Sequence, residues 1–285
     1  MALTDGRRLE YADLGDPEGV PVIFLHGTPS TGGQGAVVAE AAGSHGVRLI
    51  APSRPGYGAS TMSPPGLAST ANDTLELADQ LGLERFALLG SSGGGPFALA
   101  MAASAPERVI AIAVLASPSN YAEVKPEVLG DDDRRALDLA AAGRFEEALD
   151  LMNAVADVDM EGMRGLSTEE FSEALARMGP ADGGWLGRHP DLLRKFRDDF
   201  RRAITTSDGM SRDNLSWLRD WDFDPASVSV PVHLVYGESD RMAEVAHGEW
   251  LHSHLPDSDL SVIAGDHGAV AFGAAEPFFA ALAAG

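Results

Sequence analysis

Leu88-Leu89-Gly90-Ser91-Ser92-Gly93-Gly94-Gly95-Pro96 is the stretch on which the reading of the whole chain turns. The apolar run Phe86 to Leu89 gives way to small residues and then to an Ala-rich segment of helical character, Phe97 to Ala105. That order predicts a strand, a turn almost free of side chains, and a helix. In frame, Gly90-x-Ser92-x-Gly94 is the pattern of a nucleophile elbow, a strained strand-to-helix turn that lifts a serine hydroxyl above the sheet. The glycines suit a turn that holds the serine Cα in an unfavourable backbone region and crowds its neighbours. Ser91 fits the frame less well, because Leu89 stands two residues before it. The competing reading is a glycine-rich loop capping a helix around a phosphate. The rest of the chain chooses between them.

At 285 residues the chain can hold one large α/β domain with an insertion, or two domains. Its formal charge of −22 repels nucleic acid and anionic membranes, so neither is expected as a partner. A small-molecule substrate and a monomer or homodimer are expected instead. No apolar run approaches the roughly 18 to 20 residues of a bilayer span, and no hydrophobic signal core follows Met1 to Arg8. The expectation is a cytoplasmic protein. With no cysteine there is no disulfide, thiolate nucleophile or Cys-based metal site. Covalent catalysis falls to Ser, Thr, Asp, Glu, Lys or His. His247 and His252 lie five apart and do not stack on one helical face, so no metal and no cofactor is expected.

Taken in order, residues 3–14 alternate around Asp5-Gly6 and read as an edge hairpin. Pro21 to Leu25 is a continuous apolar strand of the kind buried on both faces of a parallel sheet. Residues 34–45 read as a helix, 47–51 as a strand, and 72–82 as an amphipathic helix from Asn72 to Gly82. The elbow strand and its helix follow, then a strand over 109–116. This alternation implies a mostly parallel central sheet with helices on both faces. Residues 119–224 hold 24 acidic and 14 basic residues, three of the four tryptophans and no convincing strand. They read as an inserted helical cap on a core formed by residues 1–118 and 225–285. The sheet resumes with Val230 to Tyr236, and its last strand, Asp259 to Ala264, delivers Gly265-Asp266-His267-Gly268. Residues 243–254 and 274–284 read as helices.

Ser92, Asp240 and His267 each stand just past the C-terminal end of a predicted parallel strand, the edge where open α/β sheets place their sites. The chain resembles the α/β-hydrolase superfamily through five stretches: His26-Gly27-Thr28-Pro29, Arg54 to Ser60, Gly90 to Gly94, Gly237 to Met242, and Gly265-Asp266-His267. They span both halves of the sheet and leave out residues 119–224. The resemblance implies the α/β-hydrolase fold with a cap, and an esterase or proline-iminopeptidase-like serine hydrolase.

In that scheme Ser92 is the nucleophile, His267 its base and Asp240 the carboxylate that orients the imidazole. Glu238 competes with Asp240, and His247, His252 and His254 compete with His267 from a helix of surface or pocket-wall character. Asp266 is given no role, because adjacent side chains diverge. The N–H groups of Thr28 and Gly93 suit an oxyanion hole. His26 reads as a ring that pins its loop rather than as a base. Pro29, Ser91, Trp185 and Met242 are the candidate substrate contacts. Phe145, Met152, Met163, Phe171 and Met178 would pack the cap or face an apolar acyl group. The function expected is cleavage of an ester, lactone or similar small acyl compound through an acyl-Ser92 intermediate. The alternatives are an aminopeptidase, a lyase or cofactor-free perhydrolase on the same triad, and a ligand-binding relative without catalysis.

Overall fold

In the computed structural model, which describes residues 1–176 and 185–284, seven strands form one sheet. They are β1 (Tyr11–Gly15), β2 (Val20–Leu25), β3 (Val47–Pro52), β4 (Phe86–Ser91), β5 (Val109–Leu115), β6 (Val232–Gly237) and β7 (Ser258–Ile263). Their spatial order is β1-β3-β2-β4-β5-β6-β7; β1 runs antiparallel to β3 and every other pair is parallel. The uninterrupted apolar runs follow from burial on two sides. Val22, Phe24, Leu49 and Leu89 face one core, while Ile23, Leu25, Ile50 and Leu88 face the other. Helices Leu67–Gln80, Gly95–Ser104 and Val245–His254 cover the second face; Ala39–Ser44, His267–Gly273 and Glu276–Ala284 cover the first. The α/β-hydrolase architecture read from the sequence is the one the chain adopts.

Local departures have local causes. The expected N-terminal hairpin shrinks to one bridge, Ala2 to Arg8, and Tyr11–Gly15 pairs with β3 instead. Arg7 clamps Asp73 with two 2.6 Å hydrogen bonds and holds the turn against a helix rather than a strand. The helix read from Asn72 starts at Leu67, and Thr70 and Thr74 are accommodated in it by turning their hydroxyls back onto the carbonyls of Gly66 and Thr70. The helix read over 34–45 is a 3₁₀ turn, Gly32–Val37, followed by Ala39–Ser44. The window His267–Ala284 is apolar enough, by composition, to cross a membrane. It is two helices of 7 and 9 residues, each far short of a span, with Val270 and Phe279 packed on the sheet.

Between β5 and β6 the described residues hold helices and no strand, chiefly Asp131–Ala141, Phe145–Arg164, Thr168–Ala176, Pro190–Ala203 and Asp208–Trp217. Phe145 and Met152 pack around Leu215, whereas Met163 and Phe171 pack around Phe196 and Phe200. Met178 lies outside the described residues. Asp208–Trp217 is rooted in the sheet domain: buried Arg212 donates to the carbonyls of Ser63 and Pro64 and to Thr70 Oγ1 at 2.9–3.0 Å.

Candidate active site

β4 ends at Ser91, and the chain turns into a helix within four residues. Ser92 sits at φ 50°, one of two positive values among the described non-glycine residues. Such a backbone survives only where its surroundings over-determine it. Here they do: a Cβ on Gly90 would lie 2.7 Å from Gly95 Cα, and one on Gly94 would lie 2.0 Å from Leu25 O. Ser117 Oγ also donates to Ser92 O at 2.8 Å. The small residues of the elbow are therefore required by close backbone approach.

His267 is the first residue of helix His267–Gly273, and its Nε2 lies 3.1 Å from Ser92 Oγ. Its Nδ1 lies 2.8 Å from Asp240 Oδ2. A carboxylate only accepts, so Nδ1 carries the ring proton and Nε2 turns a lone pair toward the serine hydroxyl. Asp240 is held in turn, because its Oδ1 accepts from the N–H groups of Met242 and Ala243 at 2.8 and 3.0 Å. Asp266, beside His267, caps the helix: Oδ1 accepts from Ala269 N–H and Oδ2 from Trp185 N–H. Glu238 is not among the residues of the cavity that Ser92 lines; it lines a separate depression with Asp240, Arg241 and Glu244. His247 is not a surface residue. It is buried against Ser119, with Nδ1 accepting from Ser119 N–H at 3.2 Å, and burial followed by the nearby Lys125 lowers its pKa to about 4. His252 and His254 pair with Ser258 and Ser253 at the surface.

The loop after β2 lies across the elbow. A Cβ on Gly93 would lie 2.5 Å from Thr28 Oγ1 and 3.3 Å from Thr28 N. Gly93 is the second residue of the 3₁₀ turn Ser92–Gly94, in the stretch where N–H groups have no intrahelical partner. The loop is fastened from below by Arg54, 1% exposed. Its guanidinium donates to His26 O at 2.5 Å, Gly27 O at 3.1 Å, Thr28 Oγ1 at 3.0 Å and Asp213 Oδ2 at 2.6 Å. Asp213, on helix Asp208–Trp217, also accepts from Thr28 Oγ1 at 2.7 Å. Asp199 reaches the same loop from helix Pro190–Ala203, bonding Ser30 Oγ, Thr31 Oγ1 and Thr31 N–H. His26 accepts from Arg54 N–H on Nε2 and donates from Nδ1 to Gly27 O, as a ring that pins its loop does. Burial and then Arg54 hold its pKa well below the ordinary histidine range.

A family model described as the alpha/beta hydrolase fold matches residues 20–274. The chain belongs to the alpha/beta hydrolase family. A non-heme chloroperoxidase from Streptomyces lividans is 33% identical over 258 residues, 86% of this chain and 83% of that protein. Among solved structures, a thermophilic esterase from Thermogutta terrifontis superposes with a TM-score of 0.68 at 22% identity, covering 98% of this chain and 93% of its own. A bromoperoxidase from Bacillus anthracis superposes with a TM-score of 0.69 at 22% identity, covering 97% and 94%. At these identities the two superpositions speak for the fold.

In this α/β-hydrolase Ser92 and His267 open on a cavity of about 230 Å³. Of the substrate contacts expected from the sequence, Pro29, Trp185 and Met242 line it. Ser91 does not. It is fully buried, and its hydroxyl donates to Ala271 O at 2.9 Å, on the core face that Leu89, two residues earlier, also occupies. The rest of the wall is mostly apolar, with Met160, Leu175, Leu186, Phe196, Phe200 and Phe272 prominent beside Thr28, Gln34 and Asp266. Phe196 and Phe200 share a helical stripe in the sequence. Which stripe faces a cavity depends on packing between distant segments, and no local signal carries that.

Proposed function

We propose that this α/β-hydrolase cleaves small carboxylic esters through an acyl-serine intermediate. The observation that carries the reading is the continuous relay from Asp240 through His267 to Ser92, with the serine at the cavity wall. Ser92 Oγ adds to the scissile carbonyl while its proton passes to His267 Nε2, and the imidazolium is stabilised by Asp240. The carbonyl oxygen becomes an oxyanion that takes hydrogen bonds from the N–H groups of Thr28 and Gly93. As the carbonyl re-forms, the bond to the leaving oxygen breaks, and that oxygen receives the proton from Nε2. A water molecule then gives a proton to Nε2 and adds to the acyl group, and collapse returns the proton to Ser92 Oγ as the acid departs. Residues 119–224 serve as the cap that supplies the apolar wall.

The cavity supports a small apolar acyl group, since its volume falls below the roughly 300–1,000 Å³ of drug-sized pockets. An aminopeptidase would need a free carboxylate to hold the substrate amine. Among the described wall residues the only carboxylate is Asp266, and both its oxygens are engaged. A second reading draws on the chloroperoxidase relative: hydrogen peroxide replaces water in the second half, and the acyl group leaves as a peracid. The test is hydrolysis of p-nitrophenyl acetate, butyrate and dodecanoate, with and without hydrogen peroxide. Turnover favouring the short esters and lost in Ser92→Ala is expected; equal turnover by Ser92→Ala removes the reading. Peracid formed at the expense of free acid would favour the second.

A further inference from the structure

Gln34 sits on the 3₁₀ turn Gly32–Val37 and is 3% exposed, yet its side chain forms part of the cavity wall. The direction of its amide is fixed by one bond. Gly27 N–H needs an acceptor and finds Gln34 Oε1 at 2.6 Å, so the NH2 group is turned the other way. The turn that carries it is held as well: Gly32 N–H donates to Ser53 Oγ at 3.0 Å, and Thr31 just before it is bound to Asp199. Nε2 has no acceptor among the described residues. It is close to the nucleophile, because a methyl group on Gly27 would lie 3.4 Å from Ser92 Cβ and 3.5 Å from Gln34 Nε2.

The other polar side chains of the wall are spoken for. Thr28 Oγ1 is bonded to Asp213 and Arg54, Asp266 caps its helix, and Ser92 and His267 face each other. A donor that faces a largely apolar cavity has few partners there, and a ligand acceptor supplies one.

We infer that Gln34 selects the acyl group: the preferred substrate carries a hydrogen-bond acceptor, a keto or ether oxygen, one or two atoms from the scissile carbonyl. A hydroxyl in the same place would accept too, but its own proton would meet an apolar wall, so oxygens without a proton are favoured. This rests on the esterase reading for the identity of the scissile bond, while the donor itself is independent of it. Gln34 is a specificity residue, because it does not touch the reacting atoms.

The experiment uses two esters of nearly equal shape, methyl methoxyacetate and methyl butanoate. Their dissociation constants are measured by calorimetry on Ser92→Ala and on Ser92→Ala combined with Gln34→Met, and kcat/KM is measured on the protein with Ser92 intact. Loosening of the Gly27 loop weakens both esters alike and cancels in their ratio. Loss of the donor does not cancel, and the preference for methoxyacetate is expected to fall about tenfold in the Gln34→Met background. Gln34→Glu at pH 8 keeps an acceptor for Gly27 N–H but presents an oxygen to the cavity, and it should lower the same ratio, whether or not the Met variant folds. A ratio that moves less than about twofold in every folded variant overturns the inference, as does failure of both esters to bind. If the ratio shifts but neither ester is turned over, the esterase reading fails and this one stands. If both are turned over with an unmoved ratio, the reverse holds.

Discussion

Arg54 and Asp213 offer the sharpest quantitative test of how the site is built. They lie 159 residues apart, are 1% and 0% exposed, and are joined by Arg54 Nη2 to Asp213 Oδ2 at 2.6 Å and by Nε to both oxygens at 3.0–3.1 Å. Removing one partner of a buried pair strands the other without counter-charge, at a cost of about 3–5 kcal/mol. Asp213→Ala should fall in that range, since Arg54 keeps its bonds to His26 O, Gly27 O and Thr28 Oγ1 but loses its anion. Arg54→Ala should cost at least as much: it strands a carboxylate that retains Thr28 Oγ1 and it empties the space beneath Phe97, whose ring centroid lies 4.6 Å from the guanidinium. The double variant removes both charges together. Its loss should therefore fall short of the sum by about 2–3 kcal/mol. The assay is urea unfolding of the four proteins in one buffer, with m-values compared to confirm a common two-state transition. Additivity within about 0.5 kcal/mol would refute the coupling. Thr28 loses its carboxylate partner in Asp213→Ala, so the same protein should lose kcat with little change in KM.

Gly93→Ala puts a methyl 2.5 Å from Thr28 Oγ1, an atom that Asp213 and Arg54 prevent from moving aside. Displacement of one oxyanion donor should lower kcat by about 10²–10³; unchanged kcat in ester assays would place the oxyanion elsewhere. Ser91→Ala deletes a single bond to Ala271 O and should cost about 1 kcal/mol in unfolding experiments. Its ester KM should not move, and a clear rise would return Ser91 to the substrate side. His247, with its folded pKa at about 4, refuses a proton that the unfolded chain accepts near pH 6.5. Its contribution is fully present above pH 6.5 and is lost as pH falls toward 4, by up to about 1.4 kcal/mol per unit. His247→Gln should therefore flatten part of the stability loss between pH 7 and pH 5; an unaltered slope would mean that His247 charges in the fold.

Much of this was legible in the sequence because the physics was local. Strands buried on both faces write continuous apolar runs, and Val22 to Leu25 or Leu88 to Leu89 do so. The glycines around Ser92 are legible because backbone contacts demand them. Asp240 and His267 could be placed because each follows a strand end. Other features depend on contacts between distant residues. Nothing near Asp199 or Asp213 in the chain announces that they reach back to Ser30, Thr31 and Arg54. Gln34 lay inside an apparent Ala-rich helix, and its meaning comes from a bond to Gly27. Ser91 was misplaced for a reason the sequence did hold: as the last residue of its strand it shares the buried face of Leu89, two residues earlier. Asp266 stands at the N-cap position of helix His267–Gly273, a residue type favoured there that could likewise have been read.

Activation of Ser92 by the His267–Asp240 relay is tested most directly by intact-protein mass spectrometry after incubation with a fluorophosphonate. One covalent adduct per chain is expected, absent from Ser92→Ala and strongly slowed in His267→Ala. No adduct on the unaltered protein, or an adduct that persists in Ser92→Ala, would contradict it.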